Sequence, residues 1–147
     1  RAVIPTIIGQ IASGSRTIKL GALHPTRDFT FVRDTARGFV QAMNSANSIG
    51  EVTNIGSNFE ISIGDTVSMI AEAMGVEVEV IEDADRIRPA ASEVERLYAC
   101  TKKAQSLIDW SPDFSGHDGF IRGLAETAAW FQDPANLACY RTDRYNS

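Results

Sequence analysis

The stretch Gly21 to Asp34, GALHPTRDFTFVRD, together with the pattern behind it, constrains the fold more than any other part of the chain. His24-Pro25-Thr26 predicts a loop, because proline pushes its predecessor out of the helical region and small polar residues favour turns. Phe29, Thr30, Phe31 and Val32 predict a short strand. Asp34 then predicts a helix cap, since Ala36, Phe39, Val40 and Met43 follow the 3.6-residue period. Strand, turn and helix in this order specify an α/β chain with Arg27 at the mouth of a strand. A guanidinium there, with its fork of donors, suits a phosphate or carboxylate at the rim of a sheet.

The flanking segments alternate in the same way. Residues 4 to 13 place Ile4, Ile7, Ile8 and Ile11 on one helical face, with Pro5 in the first turn and Gly14 just past the end. Thr17 to Leu20 and Glu51 to Gly56 read as strands, the second ending in glycine. Ser62 and Asp65 have capping-box spacing ahead of Ile63, Val67, Ile70, Ala71 and Met74, and Gly75 ends that helix. Val76, Val78 and Val80 alternate with glutamates as a half-exposed strand does. Residues 83 to 98 break into charge around Pro89, a loop long enough to suggest function. A helix over 101 to 108 buries Ala104, Leu107 and Ile108. A last one over 116 to 132 has Ser115 and Asp118 in capping-box spacing and buries Phe120, Leu124, Ala128 and Phe131.

The 147 residues are one domain's length, and the net charge of -5 argues against a nucleic-acid partner, which calls for a basic stripe. No apolar run approaches the roughly 18 residues of a membrane helix. Cys100 and Cys139 lie in no metal or disulfide spacing, and His24 and His117 are too few for a histidine-rich metal site, so no metal is expected and the setting is cytoplasmic. His117 reads as a solvated histidine at a helix start and Cys100 as structural filler. The first residues show no signal peptide, and Arg1 in place of methionine suggests that an upstream part has been removed.

Arginine outnumbers lysine 11 to 3, and Arg27, Arg88 and Arg96 stand where a ligand or a set of solvated ion pairs with Asp85, Glu93 and Glu95 would use them. No GxGxxG or GxxGxxG turn is present, so no catalytic or cofactor-binding residue is expected on this chain.

The ordered series Ile4-Pro5-Thr6-Ile7-Ile8, Lys19-Leu20-Gly21, Arg27-Asp28-Phe29, Asn54-Ile55-Gly56 and Arg88-Pro89 resembles the C-terminal part of the extended short-chain dehydrogenases, the NAD-dependent epimerase/dehydratase family. Within that family it is most similar to nucleotide-sugar 4,6-dehydratases. The resemblance implies a Rossmann-type α/β fold with the N-terminal cofactor lobe absent. Residues 1–147 would form the substrate-binding portion, and residues 27–45 would pack on the missing lobe. Phe29, Phe31, Phe39 and Met43 would then be uncovered and favour self-association. It also implies that Arg27 and Arg88 hold the diphosphate of a nucleotide sugar, a UDP-sugar first, with Asn54, and with Arg96 and Glu93 from the same loop. Val3, Ile18 and Leu20 would line the base. The complete enzyme would use NAD to oxidise sugar C4, lose water across C5 and C6 as a lyase, and return the hydride. This chain alone would bind without turnover. The alternative is a non-catalytic nucleotide-binding or self-assembling module.

Overall fold

The computed structural model describes residues 2–83, 86 and 94–140. The chain divides into two compact units, one of Arg1–Pro25, Ser62–Glu95 and Leu124–Ser147, the other of Thr26–Ile61 and Arg96–Gly123. Each mixes helix with strand, as the α/β reading requires.

In the first unit α1 (Val3–Ala12) turns Ile7, Ile8 and Ile11 inward and packs against α3 (Ile63–Ala73). Gly14 has φ +90° and a Cβ added there would meet nothing, so glycine is needed for its backbone conformation and not for space. β1 (Thr17–Leu20) pairs in parallel with β4 (Glu79–Glu82), Ile18 beside Val80. The start of α3 follows its spacing: the Ser62 hydroxyl accepts the Asp65 N–H at 2.9 Å and donates to the Asp65 carboxylate at 2.7 Å. Val76, Val78 and Val80 are half-buried between exposed glutamates, yet the ladder covers only 79–82. β1 begins at Thr17, opposite Glu79, so 76–78 have no partner there. Asp133 caps α6 (Pro134–Ala138), and the Tyr140 ring lies edge-on to Phe131.

In the second unit β2 (Thr26–Asp28) is the middle strand of three, between β3 (Glu60–Ser62) and β5 (Arg96–Leu97). β5 runs parallel to β2, with Thr26 opposite Arg96 and Arg27 opposite Leu97. The strand therefore lies at 26–28, ahead of the 29–32 that side-chain type suggests. Phe29 and Phe31 instead meet the rings of Phe120 and Phe114, with centroids 6.0 and 4.3 Å apart.

α2 (Val32–Asn44) likewise starts before Asp34, with Phe31 at its N-cap and no side-chain cap bond. Asp34 is buried in the first turn, where its carboxylate accepts the backbone N–H groups of Asp113 (3.1 Å) and Phe114 (2.9 Å) and the Arg37 guanidinium (2.8 Å). Burial pushes this carboxyl up, but Arg37 and the two N–H groups outweigh it and hold it below its ordinary range.

The inner face of α2 is Asp34 and Gly38, and the apolar stripe Ala36, Phe39, Val40 and Met43 points outward, the last three 55–85% exposed. Gly38 explains this orientation. A Cβ there would lie 3.0 Å from Trp110 and 3.1 Å from Ile55, so a residue that costs a helix about 1 kcal/mol lets the indole lie against the backbone. Trp110 is 2% exposed, packs with Ala104 and Ile108 of α4 (Lys102–Ile108), and donates its indole N–H to the Gly56 carbonyl at 3.2 Å. Phe39 and Met43 are uncovered, as the resemblance implied. Phe29 and Phe31 are not, being half-buried in ring contacts.

Residues 51–56, read as a strand, join no sheet, and Val52 to Ile55 make no backbone hydrogen bond among the described residues. α5 (Gly116–Gln132) buries Phe120, Leu124, Ala128 and Phe131 as its period predicts. Ser115 does not cap it; its hydroxyl donates to the Ser57 carbonyl at 2.6 Å.

Candidate functional site

Arg27 sits half-buried on β2 between two residues that are each tied to other segments. On its N-terminal side the Thr26 hydroxyl donates to the Glu60 carboxylate on β3. Glu60 also receives Arg96 from β5: Nε lies 2.7 and 2.9 Å from its two oxygens, and Nη2 2.7 Å from Oε2. One polar row thus crosses all three strands. The bonds from Arg96 and then from Thr26 hold the Glu60 carboxyl at about 2, against an ordinary 4.5, and Glu60 in turn raises Arg96.

On the C-terminal side the Asp28 carboxylate accepts the Ser57 N–H (2.8 Å), the Ser57 hydroxyl (2.6 Å), the Asn58 N–H (3.2 Å) and the Ala99 N–H (3.3 Å). Arg27 donates Nη1 to the Thr26 carbonyl at 2.7 Å. Beside these residues lies a cavity of about 390 Å³, lined among others by Asp28, Thr30, Asn54, Gly56 and Tyr98.

The sequence-derived residues separate on this frame. Side chains alternate along a strand, so Arg27 shares a face with Leu97, and Arg96 shares the other with Thr26. The sheet does not bring Arg27 and Arg96 together. Arg96 engages Glu60 with one edge and stacks on the Tyr98 ring, its guanidinium carbon 5.3 Å from the centroid. Asn54 is exposed on the cavity wall. Ile18 and Leu20 belong to the core of the first unit at 0% and 5% exposure, so their side chains already have an apolar setting, and Val3 is half-buried at the start of α1. Arg88 and Glu93 lie outside the described residues.

Residue types alone did not single out Asp28, Gly56, Ser57 or Glu60. Asp28 and Gly56 stand inside quoted motifs, but their pairing depends on chain reversals that no local pattern encodes. His117 is solvated, 3.5 Å from Asp118, and Cys100 is exposed. Tyr98 and Lys102 have the four-residue spacing of a dehydrogenase tyrosine–lysine pair. Tyr98 precedes α4 and Lys102 is its first residue, so the two do not stand one turn apart on a helix. No group of three or more metal-ligating side chains occurs among the described residues, and no described helix is long and apolar enough to cross a membrane.

A family model for GDP-mannose 4,6-dehydratase matches residues 1–122. The chain belongs to that family. Within it, an epimerase-like protein of Methanocaldococcus jannaschii, named for UDP-glucose 4-epimerase, is 33% identical over 120 residues, covering 82% of this chain and 37% of that protein. The solved epimerase Mth375 of Methanothermobacter thermautotrophicus superposes with a TM-score of 0.80 at 30% identity, over 93% of this chain and 39% of its own. The UDP-glucuronic acid 4-epimerase of Bacillus cereus, solved with NAD, gives 0.72 at 26%, over 97% and 40%. The chain thus spans about two fifths of the length of these relatives and has the fold of the C-terminal part of an extended short-chain dehydrogenase.

The Bacillus cereus enzyme is solved with NAD, a dinucleotide whose pyrophosphate calls for a glycine-rich turn at a helix start. The strand-to-helix turns into α2 and α3 place Phe31 and Ser62 at the N-caps, with no glycine-rich turn to admit a pyrophosphate.

Proposed function

We propose that this chain binds the diphosphate of a nucleotide sugar, a UDP-sugar first, as the substrate-binding portion of an NAD-dependent epimerase or 4,6-dehydratase, without turnover of its own. One observation carries the reading: Arg27 is a half-buried guanidinium on the central strand of a sheet, fixed on both sides by tied neighbours. A charge-assisted contact contributes roughly 1.5–3 kcal/mol, whereas association costs on the order of 4–15 kcal/mol in lost freedom. Arg27 therefore needs a second anchor, and Arg88 of the Arg88-Pro89 pair is the one proposed.

In the complete enzyme NAD supplies oxidation at sugar C4, and the chain's own part is to hold the diphosphate while that happens. Lyase chemistry follows the family model and 4-epimerisation the named relatives; the proposed binding step is common to both. The cytoplasm is the proposed setting, and Cys100 and Cys139 are free thiols.

The outward stripe of α2 favours a second role for the same chain. Val32, Phe39, Val40 and Met43 make the surface on which residues 27–45 would pack on a cofactor lobe. Without that cover the same surface drives self-association.

Calorimetric titration of the chain with UDP-, GDP- and dTDP-sugars, followed by incubation with NAD, tests the reading. Heat of binding with one of the three and no 4-keto sugar supports it. Silence with all three, or turnover, overturns it.

A further inference from the structure

We infer that Asp28 is a positioning residue for Arg27, and that Gly56 is its obligatory partner, so that Arg27-Asp28-Phe29 and Asn54-Ile55-Gly56 act as one fastening. This rests on the reading of Arg27 as the diphosphate ligand and adds how that guanidinium is held in place.

Four donors from two segments, 57–58 and 99, converge on the Asp28 carboxylate. A carboxylate has about four acceptor sites, so none is left for a ligand. Asp28 therefore acts on its own strand: it ties the end of β2 to Ala99, which lines the cavity, and to residues 57–58, which directly follow the lining residues 53–56.

Gly56 is what allows the approach. A Cβ built there would lie 2.4 Å from the Ala99 Cβ and 3.0 Å from Asp28 Oδ2. Any larger residue pushes the 57–58 N–H groups off the carboxylate or drives Ala99 away from it. The asparagine of the motif behaves differently, because Asn54 is exposed and makes no hydrogen bond among the described residues. What the Asn-Ile-Gly segment has to supply is its glycine.

With Thr26 tied to Glu60 on the other side, the Cα of Arg27 is fixed from both directions. A cation launched from a fixed backbone loses less freedom when it meets a phosphate than one on a loose strand does.

The test compares UDP with uridine, which lacks the phosphates, by titration into wild type, Asp28→Asn, Gly56→Ala, Arg27→Ala and the double variant D28N/R27A. Asp28→Asn and Gly56→Ala are each expected to weaken UDP about tenfold or more while uridine is held equally well, and Asp28→Asn to add nothing in the Arg27→Ala background. Equal losses for UDP and uridine, or losses that multiply in the double variant, overturn the inference. Ser57→Ala removes one donor of the four and serves if either variant unfolds; about a threefold loss confined to UDP supports the inference, and no loss overturns it. If wild type binds no UDP, the diphosphate reading fails by itself. The positioning claim is then decided without ligand, by 15N relaxation at the Arg27 side chain and residues 26–29. A fall in order in Asp28→Asn supports it; unchanged order overturns it.

Discussion

Asp28, Glu60 and Asp34 are three carboxylates with three ways of being held, and none is a surface charge left to water. Asp28 accepts mainly backbone N–H groups, Glu60 accepts a guanidinium and a hydroxyl, and Asp34 combines two backbone N–H groups with Arg37. The consequences with pH follow from sign. The folded state holds Glu60 at about 2, below its ordinary 4.5, so the stabilisation from Arg96 and Thr26 is complete above 4.5 and is lost as pH falls through that window toward 2. Melting temperatures of wild type and Glu60→Gln should therefore differ at pH 6 and converge near pH 2; a gap that persists at the acid end would contradict the ion pair. Asp34→Ala leaves the Asp113 and Phe114 N–H groups without their acceptor, while Arg37 keeps the Ser111 carbonyl and Asp113, and urea unfolding should report a loss of about 2–3 kcal/mol. A loss under about 0.5 kcal/mol, as at an ordinary surface site, would show that the two N–H groups find other partners.

At the scale of elements, what the sequence made legible was whatever depends on neighbours along the chain. α1, β1, α4 and α5 lie where their patterns place them, and α3 does so with its Ser62 cap. The misreadings share one cause, tertiary partners that local pattern does not contain. Asp34 has the look of a cap but serves the turn at 113–114, Phe29 and Phe31 have the look of strand residues but serve ring contacts, and 51–56 looks like a strand without a neighbour to pair with. α2 keeps its predicted period with Phe39 and Met43 outward, as the resemblance implied, and Gly38 and Asp34 take the inside because Trp110 and the turn at 113–114 need them. The candidate site divides likewise. Arg27 is the candidate its motif singles out, whereas the bonds and close approach at Asp28, Gly56 and Glu60 needed the register of β2 with β5 and the approach of residue 56 to Ala99. The double change Phe39→Glu with Met43→Lys should leave the melting temperature nearly unchanged, because both side chains are already in water, and should lower any association seen by light scattering. A large fall in melting temperature would mean that the stripe is covered after all.

For the whole molecule, kinship with nucleotide-sugar epimerases and dehydratases joins a local geometry that presents one guanidinium from a braced strand. The family model covers residues 1–122, the relatives extend well beyond the length matched here, and binding is the contribution proposed for this chain. Arg27 is the residue on which that contribution turns. The most direct measurement is the affinity of a UDP-sugar for wild type and for Arg27→Ala, by calorimetry at a fixed moderate salt concentration. A loss of about tenfold or more in Arg27→Ala, with an unchanged circular dichroism spectrum, is the result expected from one charge-assisted diphosphate contact. Equal affinities for the two proteins would contradict the account.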